Sequence, residues 1–466
     1  METKTNLIMN PLGTEKISKL ILKFAIPAIA SGLVSALYNI VDQIFIGNTV
    51  GIYGNGATNV AFPLTTISTA LALLLGIGGA SNFNLCQGRG EAEKAGKMAA
   101  NAISYLAISG IILGISVLLF LKPLLVFFGA TDNVMPFALT YTTITAFGLP
   151  CLIFSTGASQ LIRADGSPAY AMVCVMAGAI LNIGLDALFM LVFHMGMAGA
   201  ALATVIGQVL SLLLVLVRLL RFKNVSLKRE YFRPKMAYGK AIAGLGAAAC
   251  FNQLAMTVVQ IAMNNTLKYY GGLSHYGSDI PIACVGVISK VNVILIAFVV
   301  GIAQGCQPIN GYNYGAKNYG RVKKTLKLAI ISASVFAVAA FLSFQLFPRE
   351  IVSIFGQGSE DYFEFAERYL RIFMMMTFLF GLQPVTANFF TSIGKAQKGI
   401  FMSLTKQILF LLPLIVIFPV FMGIDGVMYA GPIADSAAAI LAVVFIVKEM
   451  RAMSILEGGK ECHESN

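Results

Sequence analysis

Three acidic side chains occur deep inside long apolar stretches of this sequence: Asp42, Asp186 and Asp435. An ionisable residue in apolar surroundings marks a functional site by default, because a charge there is costly. Asn182 lies one helical turn before Asp186, so the amide and the carboxyl group share a helix face. Carboxylate and amide oxygens are ligands for hard cations, and two neighbouring carboxylates can share a proton. The residues predict a site for Na+ or H+.

The composition indicates the elements that must position these side chains. Apolar residues make up 57% of the 466 residues and charged residues only 12%, against about 25% charged in soluble domains. Lipid is therefore the expected solvent, in which a chain must form helices or a closed barrel. Uniform apolar runs such as 103–121 favour helices, and no alternating barrel pattern occurs. We predict an all-α integral membrane protein with twelve spans, near residues 17–46, 58–83, 98–121, 134–160, 168–193, 197–217, 241–266, 281–307, 328–347, 362–391, 399–422 and 427–447.

These spans place three polar side chains at one depth. Asp42 and Asp186 precede the outer ends of their helices, and Thr204 follows the outer start of the next helix. At 1.5 Å per residue all three lie roughly 8–11 Å below the outer surface. We expect Asp42, Asn182, Asp186 and Thr204 to form one oxygen-rich cluster for a monovalent cation or a proton.

Most of the 33 Lys and Arg residues fall in alternate connections between the spans. By the positive-inside rule both termini are cytoplasmic. The net charge of +12 thus reflects the basic residues of the cytoplasmic connections, and a nucleic-acid partner is not expected. No span contains His and no Cys pair has metal-ligand spacing, so we expect no zinc or haem and no resident cofactor.

Two segments of the chain repeat one another. Residues 71–96 align with 296–321, with Gly76 on Gly301 and Gly90 on Gly315. Six spans per copy is an even number, so we expect two parallel six-helix bundles related by a pseudo-twofold axis along the membrane normal. Such bundles can rock about a central site. The predicted organisation is an N-terminal lobe at 1–217, a basic cytoplasmic linker at 218–240, a C-terminal lobe at 241–450 and a cytoplasmic tail at 451–466.

Three further residues have expected roles within this scaffold. Pro27 removes a helix hydrogen bond in the first span, and bending there would move Asp42. Lys290 is a candidate partner for Asp435 or a wall of the cavity. Lys406 is expected to reach the inner interface by extending its side chain.

Four stretches resemble the multidrug and toxic compound extrusion (MATE) family, with the DinF/MepA-like branch of prokaryotes the most similar: LYNIVDQIFIG (37–47), LIRADGSP (161–168), NIGLDALF (182–189) and AALATVIGQ (200–208). The resemblance covers residues 15 to 450. It implies a cation-coupled antiporter that expels cationic amphiphilic drugs by alternating access, in a bacterial or archaeal plasma membrane.

The resemblance also assigns roles to residues. It implies that Asp42, Asn182, Asp186 and Thr204, with the backbone carbonyl of Ala200, bind Na+ or H+. It implies that Pro27 is the hinge of the conformational switch. The expected partners are small organic cations and membrane lipid, with a monomeric protein. Tyr38 and Tyr141 fall where relatives line the drug cavity, and we expect a cavity lined by Tyr38, Tyr141, Met263 and Gln260.

The NorM-like branch of that family carries acids in its seventh and tenth helices, where this chain has Gln253, Gln260, Gln383 and Asn388. A second cation site of that type is therefore not expected in the C-terminal lobe. Two alternatives remain open. A flippase for lipid-linked oligosaccharides or lipids would share the duplicated bundle, and an intramembrane enzyme would need a nucleophile with a base or a metal cluster.

Overall fold

The computed structural model describes residues 10–277, 279–354 and 359–464. Parts of the predicted N-terminal lobe (1–9) and tail (465–466) lie outside these ranges. The described residues form helices and no strand. The helices that cross the bundle are Ile17–Thr49, Ile52–Gly88, Ala92–Leu119, Met135–Ala164, Pro168–Asp186 continued by Ala187–Val192, Gly196–Leu219, Met236–Gly272, Asp279–Gly315, Tyr319–Leu346, Glu360–Phe373 with Leu382–Ser392, Ala396–Leu404 continued through Thr405–Leu411 to Leu412–Met422, and Asp425–Glu464. We number them as the first to the twelfth span.

The predicted class is confirmed. Within the described ranges, eleven helices are long and apolar enough to cross a membrane, or twelve when the bent tenth span counts as one. Large apolar side chains face outward along them, among them Phe147, which is 65% exposed at the middle of the fourth span. Such a surface suits lipid rather than water.

Two six-helix bundles form the molecule, and glycines allow their backbones to touch. Gly78 of the second span lies against the Ile242 carbonyl of the seventh, and Gly246 of the seventh lies against the Leu74 carbonyl of the second. A Cβ at either glycine would overlap the opposing backbone. The first and eighth spans meet similarly at Gly305 and Ala25. These contacts lie in the half of the molecule that carries both termini. We call the surface of that half the terminal face.

Three spans depart from the regular helices that the sequence predicts. The tenth bends by 41° between Phe373 and Thr377, and Pro384 in the first turn of its second part cannot donate a hydrogen bond to the preceding residues. The eleventh becomes a π-helix at Thr405–Leu411, just before Pro413. The fifth becomes one at Ala187–Val192, directly after Asp186. Single π-helical turns are frequent at functional sites.

The connection between the bundles is anchored on the N-terminal one. Asp165, with its side chain fully buried, accepts hydrogen bonds from the Arg218 guanidinium at 2.9 Å and from the backbone N–H groups of Lys223 and Asn224 at 2.8 and 2.9 Å. Burial raises the pKa of Asp165, and these donors oppose the rise. The motif residues 161–168 therefore fix the start of the linker.

Candidate functional site

Close packing of the fifth and sixth spans brings the N-terminal polar residues together. The spans cross at Gly178 and Gly207, where a Cβ on Gly207 would lie 2.7 Å from the Gly178 carbonyl oxygen. This crossing places the Asn182 amide nitrogen 3.5 Å from the Thr204 hydroxyl. The first span packs on the fifth, and the carboxyl group of Asp42 faces that of Asp186 at close range.

Asp42, Asp186 and Thr204 lie at a similar depth, and Asn182 lies one helical turn deeper than Asp186. Asp42, Asp186 and Thr204 lie about six to eight residues from the helix ends on the face opposite the termini. That spacing corresponds to roughly 9–12 Å below this face. Asp186 is fully buried, and Asn182 and Asp42 are 3% and 7% exposed.

The buried oxygens of this cluster lack hydrogen-bond donors. Within the described part of the chain, no donor reaches Asp42 Oδ1, Asn182 Oδ1 or either carboxylate oxygen of Asp186. Buried polar atoms without partners are rare and costly, so several in one place need a physical explanation. A positive charge supplies one, because a monovalent cation or a proton satisfies carboxylate and amide oxygens together. The oxygen ligands of this cluster, which include two carboxylates, fit Na+ or H+. Within the described ranges, no three or more His, Cys, Asp or Glu side chains lie together as a group that could hold a metal ion.

The other predicted N-terminal residues surround this cluster. Tyr38 lies near Asp42 and Asp186, and Tyr141 lies near Thr204 and Asp42. Tyr38 also lines a cavity of about 110 Å³ that includes Asn182 and Thr204. Ala200 is fully buried one turn before Thr204.

Pro27 lies inside the first span, which remains helical through it. The Ser31 hydroxyl donates to the Pro27 carbonyl at 2.8 Å. The predicted hinge is therefore a proline within a continuous helix in this conformation.

A larger cavity of about 390 Å³ lies in the C-terminal bundle against the second span. Met263 and Gln260 line it, whereas Tyr38 lines the smaller cavity and Tyr141 lines neither. The structure thus does not bring the four predicted cavity residues together. All four amides that stand where the NorM-like branch has acids line the larger cavity: Gln253, Gln260, Gln383 and Asn388.

The partner of Asp435 differs from the expected one. Asp435 pairs with Lys406, whose ammonium nitrogen lies 2.5 Å from the carboxylate. Lys290 is exposed and does not line the cavity. Lys406 lies in the π-helical segment Thr405–Leu411 of the eleventh span. The expectation for Lys290 was wrong because its side chain is exposed and away from the cavity, and that for Lys406 was wrong because its ammonium group pairs with Asp435.

Arg163 falls between the predicted fourth and fifth spans, 134–160 and 168–193, but in the structure it is a buried helical residue that is 8% exposed. Its guanidinium donates to Gln304 of the eighth span at 2.9 Å and to Gln160 at 3.3 Å. No carboxylate pairs with Arg163 within the described ranges. This arginine therefore links the two bundles through a neutral partner.

Fold and site define a class of protein: a membrane transporter built from two six-helix bundles, with a cluster of buried oxygens that lack donors in one of them. A family model described as MatE matches residues 27–188 and 248–417, and the chain belongs to this family, a family of transporters and not of enzymes.

Individual relatives agree with the family assignment. The multidrug export protein MepA of Staphylococcus aureus (strain MSSA476) is 24% identical over 92% of this chain and 93% of that protein. A solved structure of the MATE multidrug transporter DinF-BH in complex with rhodamine 6G is 35% identical, with a TM-score of 0.86 over 94% of this chain and 96% of that one. An outward-facing MATE transporter of the MOP superfamily shares the fold, with 23% identity and a TM-score of 0.88 over 95% of this chain and 98% of that one.

Proposed function

We propose that this chain exports small organic cations from the cell in exchange for Na+ or H+, by alternating access of its two bundles. The observation that carries the proposal is the set of buried oxygens on Asp42, Asn182 and Asp186 that lack donors. The names of the relatives, multidrug export and a dye complex, support the substrate class. The proposed organisation is a lobe at 1–217, a linker at 218–240 and a lobe at 241–450.

The charge distribution supports the orientation. The terminal face carries most of the Lys and Arg residues, and basic connections stay in the cytoplasm. The glycine contacts between the bundles lie at this face. The conformation is therefore closed toward the cytoplasm, and the ion cluster lies nearer the outer face.

Coupling follows if the ion and the substrate favour opposite conformations. A monovalent cation bound between Asp42 and Asp186 reduces the repulsion between the two buried carboxylates and draws the first span toward the fifth. A ligand moves a conformational equilibrium only by its difference in affinity for the two states. Pro27, which removes one helix hydrogen bond, offers a place where the first span can bend.

The test compares Asp42→Asn and Asp186→Asn with Asp132→Asn, which makes the same chemical change at an exposed loop residue. Purified variants in liposomes export rhodamine 6G under imposed Na+ or pH gradients. We expect gradient-driven efflux to fall at least about tenfold in the first two variants, because each loses a charged ligand. Asp132→Asn should match the wild type. Gradient-driven efflux that survives in both cluster variants would refute ion coupling at this site.

The flippase alternative receives no support from the larger cavity. An anionic lipid headgroup calls for free Lys or Arg along its path, whereas the single Lys among the cavity-lining residues is paired with Asp435. Scrambling of a fluorescent anionic lipid in the same liposomes, with no dye efflux, would reverse this preference.

A further inference from the structure

Lys406 and Asp435 form a charge pair that the proposed coupling mechanism does not use. The ammonium nitrogen of Lys406 lies 2.5 Å from Asp435 Oδ1 and 4.2 Å from the centre of the Phe380 ring. A carboxylate together with an aromatic face is the combination that recognises organic ammonium groups. The side chain of Lys406 thus occupies a ready-made receptor for a cation.

The receptor opens onto the larger cavity. Lys406, Asp435 and Phe380 all line it, and the two side chains of the ion pair are 13% and 12% exposed. No other charged residue is among the lining residues of the described chain. Asp435 is therefore the one counter-ion that an organic cation meets there, and Lys406 is the one group that repels it.

The surroundings of the pair suit a cation that carries apolar substituents. Tyr369, Phe373 and several amide side chains line the same cavity, together with three methionines: Met256, Met263 and Met374. Methionine and aromatic side chains adapt to varied apolar shapes. The amides offer Lys406 other acceptors when it leaves Asp435.

The backbone beneath Lys406 favours such a movement. Lys406 lies in the π-helical segment Thr405–Leu411, where hydrogen bonding is less regular than in an α-helix. Exchanging one cation for another at Asp435 leaves the buried carboxylate neutralised throughout, which avoids the large cost of exposing an unpaired charge.

We propose that Asp435 and Phe380 form a binding site for the ammonium group of a substrate in the C-terminal bundle, and that Lys406 is the resident cation that the substrate displaces. The inference rests on the proposed export of organic cations, but a binding measurement without any gradient tests it separately.

The experiment titrates benzyltriethylammonium into the purified full-length protein by calorimetry. Asp435→Asn should weaken binding at least about tenfold, since it removes the counter-ion. Phe380→Leu should weaken it about two- to thirtyfold through loss of the cation–π contact, with the ion pair intact. Lys406→Met should strengthen it at least about threefold, because the competitor is gone. Lys290→Met, the same substitution at an exposed lysine that does not line the cavity, should leave it unchanged.

A tryptophan variant provides a second measurement of ligand binding. The chain contains no Trp, so Phe380→Trp creates a protein with one tryptophan at the proposed site. The probe should quench its emission with the affinity found by calorimetry. This variant keeps the ion pair, so it reports on binding even if Lys406→Met does not fold.

Unchanged affinity in Asp435→Asn would overturn the proposal, and so would weaker binding in Lys406→Met, since Lys406 would then contact the ligand instead of competing with it. Gradient-driven efflux that survives in the Asp42→Asn and Asp186→Asn variants would refute the proposed coupling but leave these binding results untouched, so the two failures can be told apart.

Discussion

Replacing Gly207 by alanine adds one methyl group at the crossing of the fifth and sixth spans, next to the ion cluster. The new Cβ would lie 2.7 Å from the Gly178 carbonyl oxygen and 3.2 Å from Cβ of Asn182, whereas ordinary contact begins at 3.4 Å. Because the interior is close-packed, the two spans must separate by about 0.7 Å to accommodate it. The contact of 3.5 Å between Asn182 and Thr204 then no longer forms.

A displacement of this size matters for ion binding more than for folding. Overpacking of this kind costs about 1–3 kcal/mol of stability, whereas misplaced supporting groups weaken metal affinity about 10–100-fold. We therefore expect Gly207→Ala to raise the ion concentration for half-maximal dye efflux by about 10–100-fold. The maximal rate at saturating ion should change less.

Gly184→Ala is the matched control. Gly184 lies two residues from Asn182 in the same span, and a Cβ there meets nothing within 4 Å. The assay follows rhodamine 6G efflux from liposomes over a series of Na+ concentrations and pH values. Equal ion dependence of the alanine variants at 207 and 184 would refute the claim that the crossing positions the cluster.

Three further predictions concern residues away from the cluster. Asp165→Ala should lower the free energy of unfolding by about 3–5 kcal/mol, because it leaves Arg218 buried without its carboxylate. The measurement is the fraction of protein that stays in the monodisperse size-exclusion peak after heating, and heat resistance equal to that of the wild type would contradict the prediction. Arg163→Gln should weaken the link to Gln304 between the bundles and increase labelling of a cysteine introduced at the terminal face, with labelling at wild-type rate as the contrary result. Pro27→Ala should slow dye efflux while leaving the half-maximal ion concentration unchanged, since it restores a helix hydrogen bond and stiffens the first span without altering a ligand. A changed ion dependence would argue against a hinge.

Much of the architecture follows from local properties of the sequence. Apolar run length and the distribution of Lys and Arg predict the spans, and the structure confirms an all-α membrane protein. Counting residues from the helix ends also places Asp42, Asp186 and Thr204 at one depth, because helix rise is nearly constant. These inferences need no knowledge of which helices touch.

The errors arise where helices deviate or where distant segments meet. Lys406 lies in a π-helical turn and pairs with Asp435 of the twelfth span, and a count based on regular helices predicts neither the turn nor the partner. Gln260 and Met263 of the seventh span line one cavity and Tyr38 lines another, because the packing of the bundles keeps these residues apart. Arg163 is buried by contact with Gln304, 141 residues away, which no local pattern predicts.

The two facing carboxylates of Asp42 and Asp186 also bear on bioenergetics. Together they can bind one monovalent ion, which leaves one negative charge, or two, which leave none. Exchange of one such ion for a singly charged organic cation is electroneutral, and the membrane potential then has no effect on it. Exchange of two moves one net charge, which contributes about 2.3 kcal/mol per 100 mV, or roughly fiftyfold in the attainable concentration ratio of substrate. The number of ions that this pair binds therefore decides whether export draws on the ion gradient alone or on the voltage as well.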